Sequence, residues 1–263
     1  MLRTRWLLVV GVLLPATSWF LCGDYPAAGQ PAPTAPVTGR AVLAINQEAL
    51  KQIDLALRKP KDKMSARRIR ANAFMVALAA QDARSQNAGP APALTALRDA
   101  AISLAQAASG KIVQVEPARR QAALMRAYPG TKPQPGSGSE PVNLLKTFDM
   151  ADIMRVFDKP IKGGQGIELQ MLNLENVRRT FRPKQLSDWQ PSALKTVMIA
   201  NLVSKHQPEG GAEKQKQWQG FSADMARTAE QTLHAAQAKD SKEFKQALKK
   251  LNDSCTACHD VFK

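Results

Sequence analysis

Aromatic residues make up only 5% of this 263-residue sequence, with two Tyr in total. Runs of Val, Ile and Thr are scarce too. β-sheets draw on those residue types, so their scarcity argues against a sheet protein. Cysteine is equally sparse. The chain has three, Cys22, Cys255 and Cys258, too few and too unevenly placed for a disulfide scaffold. Its three histidines, His206, His234 and His259, all lie in the back half. Acidic residues are outnumbered, 22 against 37 Lys and Arg, giving a net charge of +15. Such a surface favours acidic partners, anionic membranes or nucleic acid. The basic residues are spread along most of the chain and aromatics seldom interleave with them. No nucleic-acid recognition motif or stacking platform is visible, and solvated helix faces account for the charge. An acid–base pair or nucleophile constellation is also missing, so the sequence does not read as an enzyme.

What is present favours helix. Ala, Leu, Gln, Lys and Met fill the periodic stretches, and the expectation is an all-α protein. Arg3 and Arg5, then the apolar run Trp6–Leu14 and the patch Trp19–Cys22, read as an export signal ending near Ala27-Ala28-Gly29. The bulky residues before Cys22 do not suit a lipoprotein cysteine. An uncleaved segment of this length would instead serve as a membrane anchor. Residues 30–40, rich in Pro, Ala and Thr, read as a flexible leader. The stretch 129–141 (PGTKPQPGSGSEP) marks a boundary between a front half, 41–128, and a back half, 142–263.

Four helices are expected in the back half. Val142 to Asp158 is the first. Ser192 to Lys205 follows, with Pro191 in its first turn. The third carries Trp218, Phe221, Met225, Ala229, Leu233 and Ala236 at intervals of three or four. The last starts at an Asp240 cap, and Phe244, Ala247, Leu248, Leu251, Cys255, Cys258 and Phe262 form one stripe. Four such helices with modest connections make a bundle. The front half repeats the layout: Phe74-Met75-Val76-Ala77 answers Val197-Met198-Ile199-Ala200, and Lys59-Pro60 answers Lys159-Pro160. A duplication with one insertion near 162–183 would explain the growing offset. Gly163-Gly164-Gln165-Gly166 lacks the GK[ST] of a phosphate loop and reads as a flexible turn.

The chemistry gathers at the C-terminus, in Cys255-Thr256-Ala257-Cys258-His259. Two thiols three residues apart on a helix share one face. Such a pair can add to the two vinyl groups of a haem, with the adjoining His259 as proximal iron ligand. A structural zinc site would need four ligands, so His206 or His234 would have to complete it. A thioredoxin-like pair wants a strand before its CxxC, and none is indicated. The front half, with no Cys or His, cannot hold a covalent haem.

These residues carry a resemblance. The segment from Ala235 through Asp240, then Phe244 and Leu251–Lys263, resembles the C-terminal helix of class II c-type cytochromes, the cytochrome c' group. The close match covers about 30 residues, and helix layout extends it to roughly 120. The sequence departs from the group in the long loop 162–186 and in ending on Lys. The resemblance implies a four-helix bundle holding one covalent haem c, with Cys255 and Cys258 as thioethers and His259 as proximal ligand. It leaves two states for the other axial position. A Met on the first helix would give a low-spin electron carrier; Met150 and Met154 lie there, four apart, and Met154 is preferred. A vacant position would give a five-coordinate protein that binds gases such as NO or CO, or a haem-based sensor. The expectation is an exported, periplasmic electron carrier that docks an acidic redox partner.

Overall fold

The computed structural model describes residues 36–262, apart from 111, 131–137, 139 and 178. The stretch expected as an export signal and residues 30–35 of the expected leader lie outside the described residues. Among the described residues there is no strand, and no helix is long and apolar enough to cross a membrane. The all-α expectation holds.

Four helices form the front half: α1 (Gly39–Leu57), α2 (Lys63–Ser85), α3 (Ala91–Ala107) and α4 (Val115–Arg126). Each packs on the next and α1 closes the ring against α4. Local chemistry sets the starts of the first two. The Thr38 side chain accepts from the Ala41 N–H and Asp62 from the Met64 N–H, filling donors that a helix N-terminus leaves free. α1 thus begins inside the stretch expected as leader, where Val37 is already buried. The helix α4 is an addition to the sequence reading.

The back half differs more from expectation. In place of one helix over 142–158 there are α5 (Leu144–Thr147), α6 (Met150–Met154) and a 3-10 turn, Arg155–Phe157. The break falls at Phe148, whose extended backbone swings its ring into the core. There it meets Phe74 of α2 edge-to-face at 5.3 Å. A second 3-10 turn, Pro160–Lys162, leads to α7 (Ile167–Glu175). The next helix, α8 (Pro183–Val203), starts well before the expected Ser192 and carries Pro191 in its interior. Pro183 suits the first turn, and the Gln185 side chain accepts from the Arg182 N–H. The extra turns also bury Leu186 and Trp189, which offsets the backbone bond that Pro191 cannot make. Finally α9 (Gly211–Ala238) and α10 (Ser241–Val261) are joined by Lys239 in the left-handed region and by Asp240. The Asp240 carboxylate accepts from the Lys242 and Glu243 N–H groups, as its place before the stripe implied.

In the front half α1 completes the bundle beside α4. In the back half α7 is the helix that flanks α10. The stretch 162–186 is therefore less a loop than the element that closes this half. Asn252 of α10 donates to Glu175 of α7 at 2.8 Å. Gly163-Gly164-Gln165-Gly166 is not a free turn either. Gly163 and Gly166 have positive φ, and a Cβ on Gly164 would collide with the carbonyls of Arg155 and Asp158.

The two halves share one hydrophobic core. α2 packs on α8, on α6 and on both 3-10 turns. Polar groups buried at the junction are paired. Lys195 of α8 donates to Gln165, which donates to Asn72 of α2. Part of the expected linker is held as well: Arg98, 2% exposed, donates to the carbonyls of Gly138 and Glu140.

Candidate functional site

The stripe of α10 decides where the CxxCH residues sit. Phe244, Ala247, Leu248 and Leu251 are buried along its first three turns, and Phe244 packs between Phe181 and Trp189. The same face carried forward brings Cys255 and Cys258, both half-buried and unbridged, to the wall of a cavity of about 280 Å³. His259 lines it too, although much of its ring is exposed. The three residues singled out from sequence therefore meet at one cavity.

Its other walls come from elements far apart in the chain. α9 supplies Trp218, Phe221 and Met225; α6 supplies Met154; α7 supplies Met171 and Glu168. Trp218 is fixed by donating its indole N–H to the Val203 carbonyl at 2.6 Å. It also stacks edge-to-face on Phe262 at 5.1 Å, and Lys214 lies 5.1 Å above that Phe262 ring. Of the two methionines weighed as axial ligands, Met154 lines the cavity, whereas Met150 packs against the core away from its lining. Met171 and Met225 were not considered for that role and line it as well. α7 placed Met171 there, and no local pattern signalled that.

Burial sets the electrostatics of the thiols. It pushes Cys255 up to about 11, and the adjacent Cys258 adds to the rise. Cys258 is also raised by burial. Desolvation disfavours the thiolate, so both groups are thiols at neutral pH.

Among the described residues no three His, Cys, Asp or Glu side chains converge as a metal cluster. His206 stacks on Trp218 at 5.2 Å and His234 is exposed, so neither completes a zinc site with the cysteines. The donor set suits a flat, mostly apolar group held at one edge. Two thiols on one helix face open onto a cavity of aromatic and Met side chains, with an imidazole one residue further on.

Residues 205–263 match the cytochrome c' family. That family is one of c-type haem proteins built as four-helix bundles. No curated protein and no solved structure matches the chain. The cytochrome c' segment covers α9, α10 and the turn before them, a shorter span than the helix layout suggested. Met154, Met171 and the front bundle lie outside it. Nearly half of the cavity wall is thus contributed by chain that the family match does not reach.

Proposed function

We propose that the protein is an exported electron carrier with one haem c, attached through Cys255 and Cys258 and ligated by His259. The observation that carries this reading is the meeting of all three side chains at one largely apolar cavity beneath α10. When bound, the haem supplies an iron that cycles between ferric and ferrous states. The protein's part is to hold it and set its surroundings. Cys255 and Cys258 anchor one edge covalently, and α10, capped by Asp240 and wedged by Phe244, fixes their spacing. Trp218, Phe221 and the methionines exclude water, which favours the less charged ferrous state. Met154 is the proposed sixth ligand; Met171 and Met225 line the same cavity. A Met ligand supports electron transfer over gas binding, because it closes the site that a gas would need.

The basic surface, with a net charge of +15, would steer an acidic redox partner onto a small transient interface. Lys214, poised over Phe262 beside the cavity, belongs to that surface. The apolar N-terminus supports export, with membrane attachment wherever it is retained.

The test is expression of the full chain in a host able to attach haem. The expected product is coloured and keeps its haem after denaturation. It is low-spin, with the ferric sulfur-to-iron charge-transfer band that a Met ligand gives. A high-spin spectrum that shifts with carbon monoxide would assign the gas-binding role instead. A colourless chain with free thiols at 255 and 258 would end the haem reading.

A further inference from the structure

The haem-free front half reaches the cavity through a chain of charges. Among the described residues lining the cavity, Arg155 carries the one permanent positive charge, while Asp158 and Glu168 carry negative ones. Its Nε is buried and has no hydrogen-bond partner. The nearest carboxylate is that of Asp152, 3.6 Å away and almost fully buried. Asp152 is engaged more closely from the other side. Arg70 of α2 places its Nε 2.8 Å from Asp152 Oδ2, as an ion pair without the alignment of a hydrogen bond. Arg70 is itself held by the front bundle, donating to the carbonyls of Ala108 and Ser109 at 3.0 and 3.3 Å.

Two guanidinium groups therefore share one buried carboxylate, and the pairing is unequal. Coulomb attraction falls with distance, so the closer Arg70 neutralises most of the Asp152 charge. Arg155 keeps its charge for the cavity. Without Arg70, Asp152 would turn to Arg155, one helical turn away, and the cavity would lose its cation.

We infer that Arg70 is a positioning residue through which the front half tunes the haem: by occupying Asp152 it leaves Arg155 as the cation that favours the ferrous state. This rests on the haem reading above. It also gives the front bundle a task that needs no ligand of its own.

The experiment is a double-mutant cycle on the haem-loaded full chain, reading the midpoint potential by spectroelectrochemistry and the melting temperature beside it. R70M and R155M should each lower the midpoint. The R70M/R155M pair should fall no further than R155M alone, and R70K, which keeps the charge, should return the midpoint towards wild type. A lowered melting temperature with an unshifted midpoint in R70M would make Arg70 a structural strut and overturn the inference. Additive shifts would overturn it as well, since Arg70 would then act independently of Arg155. Should R70M fail to fold, R70Q serves in its place, with the same fall in midpoint expected and an unshifted midpoint refuting the relay. A colourless wild-type chain would instead remove the haem reading, and this role with it. Coloured variants with unmoved midpoints would remove the relay alone.

Discussion

The thiols offer the sharpest test of the site before any haem is attached. A cysteine free in solution has a pKa of about 9.0, and only its thiolate alkylates at a useful rate. Burial pushes Cys255 up to about 11. At pH 8 the folded apoprotein should then hold roughly a hundredth of the Cys255 thiolate found in the unfolded chain, by the tenfold-per-unit rule of titration. Iodoacetamide labelling of Cys255, followed by peptide mass spectrometry so that Cys22 is scored apart, should be about a hundredfold slower in buffer than in guanidinium. Cys258 is less deeply placed, and burial raises its pKa without carrying it as far, so it should label first. Equal rates in buffer and denaturant, or Cys255 labelling ahead of Cys258, would refute the placement of the pair against the cavity wall.

Three further outcomes follow from the fold. Burial raises Asp82 of α2 to about 6, against the partial relief given by Lys205. A carboxyl raised in the folded state supports folding at low pH, and that support is lost as pH climbs through about 6. D82N should therefore be near neutral at pH 4 and stabilising by about 1–3 kcal/mol at pH 7.5, measured by urea titration at both pH values. Phe244→Ala would open a hole between Phe181 and Trp189 and should cost about 3–5 kcal/mol in the same assay. Gly164→Ala would drive a methyl into the Arg155 and Asp158 carbonyls, and a loss of about 2 kcal/mol or more in thermal unfolding is expected.

The last helix was legible because everything that defines it is local. The Asp240 cap, the stripe from Phe244 to Phe262 and the CxxCH spacing all lie within about six helical turns. The α9 stripe was readable on the same grounds, and each of its six expected apolar positions is buried. The first element of the back half was misjudged because Phe148 obeys a distant partner, Phe74, rather than its helical neighbours. Proline misled at 191, where a local rule placed a helix start that buried Trp189 and Leu186 override. The glycine cluster looked loose by composition, but carbonyls around it leave no room for a side chain.

Composition and short-range spacing by themselves determined that this protein is helical, basic and equipped with two thiols and an imidazole on one helix face. Those properties depend on intrinsic propensity and on the helical repeat, which operate within a few residues. Only the tertiary structure decided that the halves form one body, that α7 closes the back half, and that Arg70 of the front bundle stands behind a wall of the cavity. Such contacts join residues 74 to 93 positions apart, and their energies come from burial and charge pairing that no window of sequence contains.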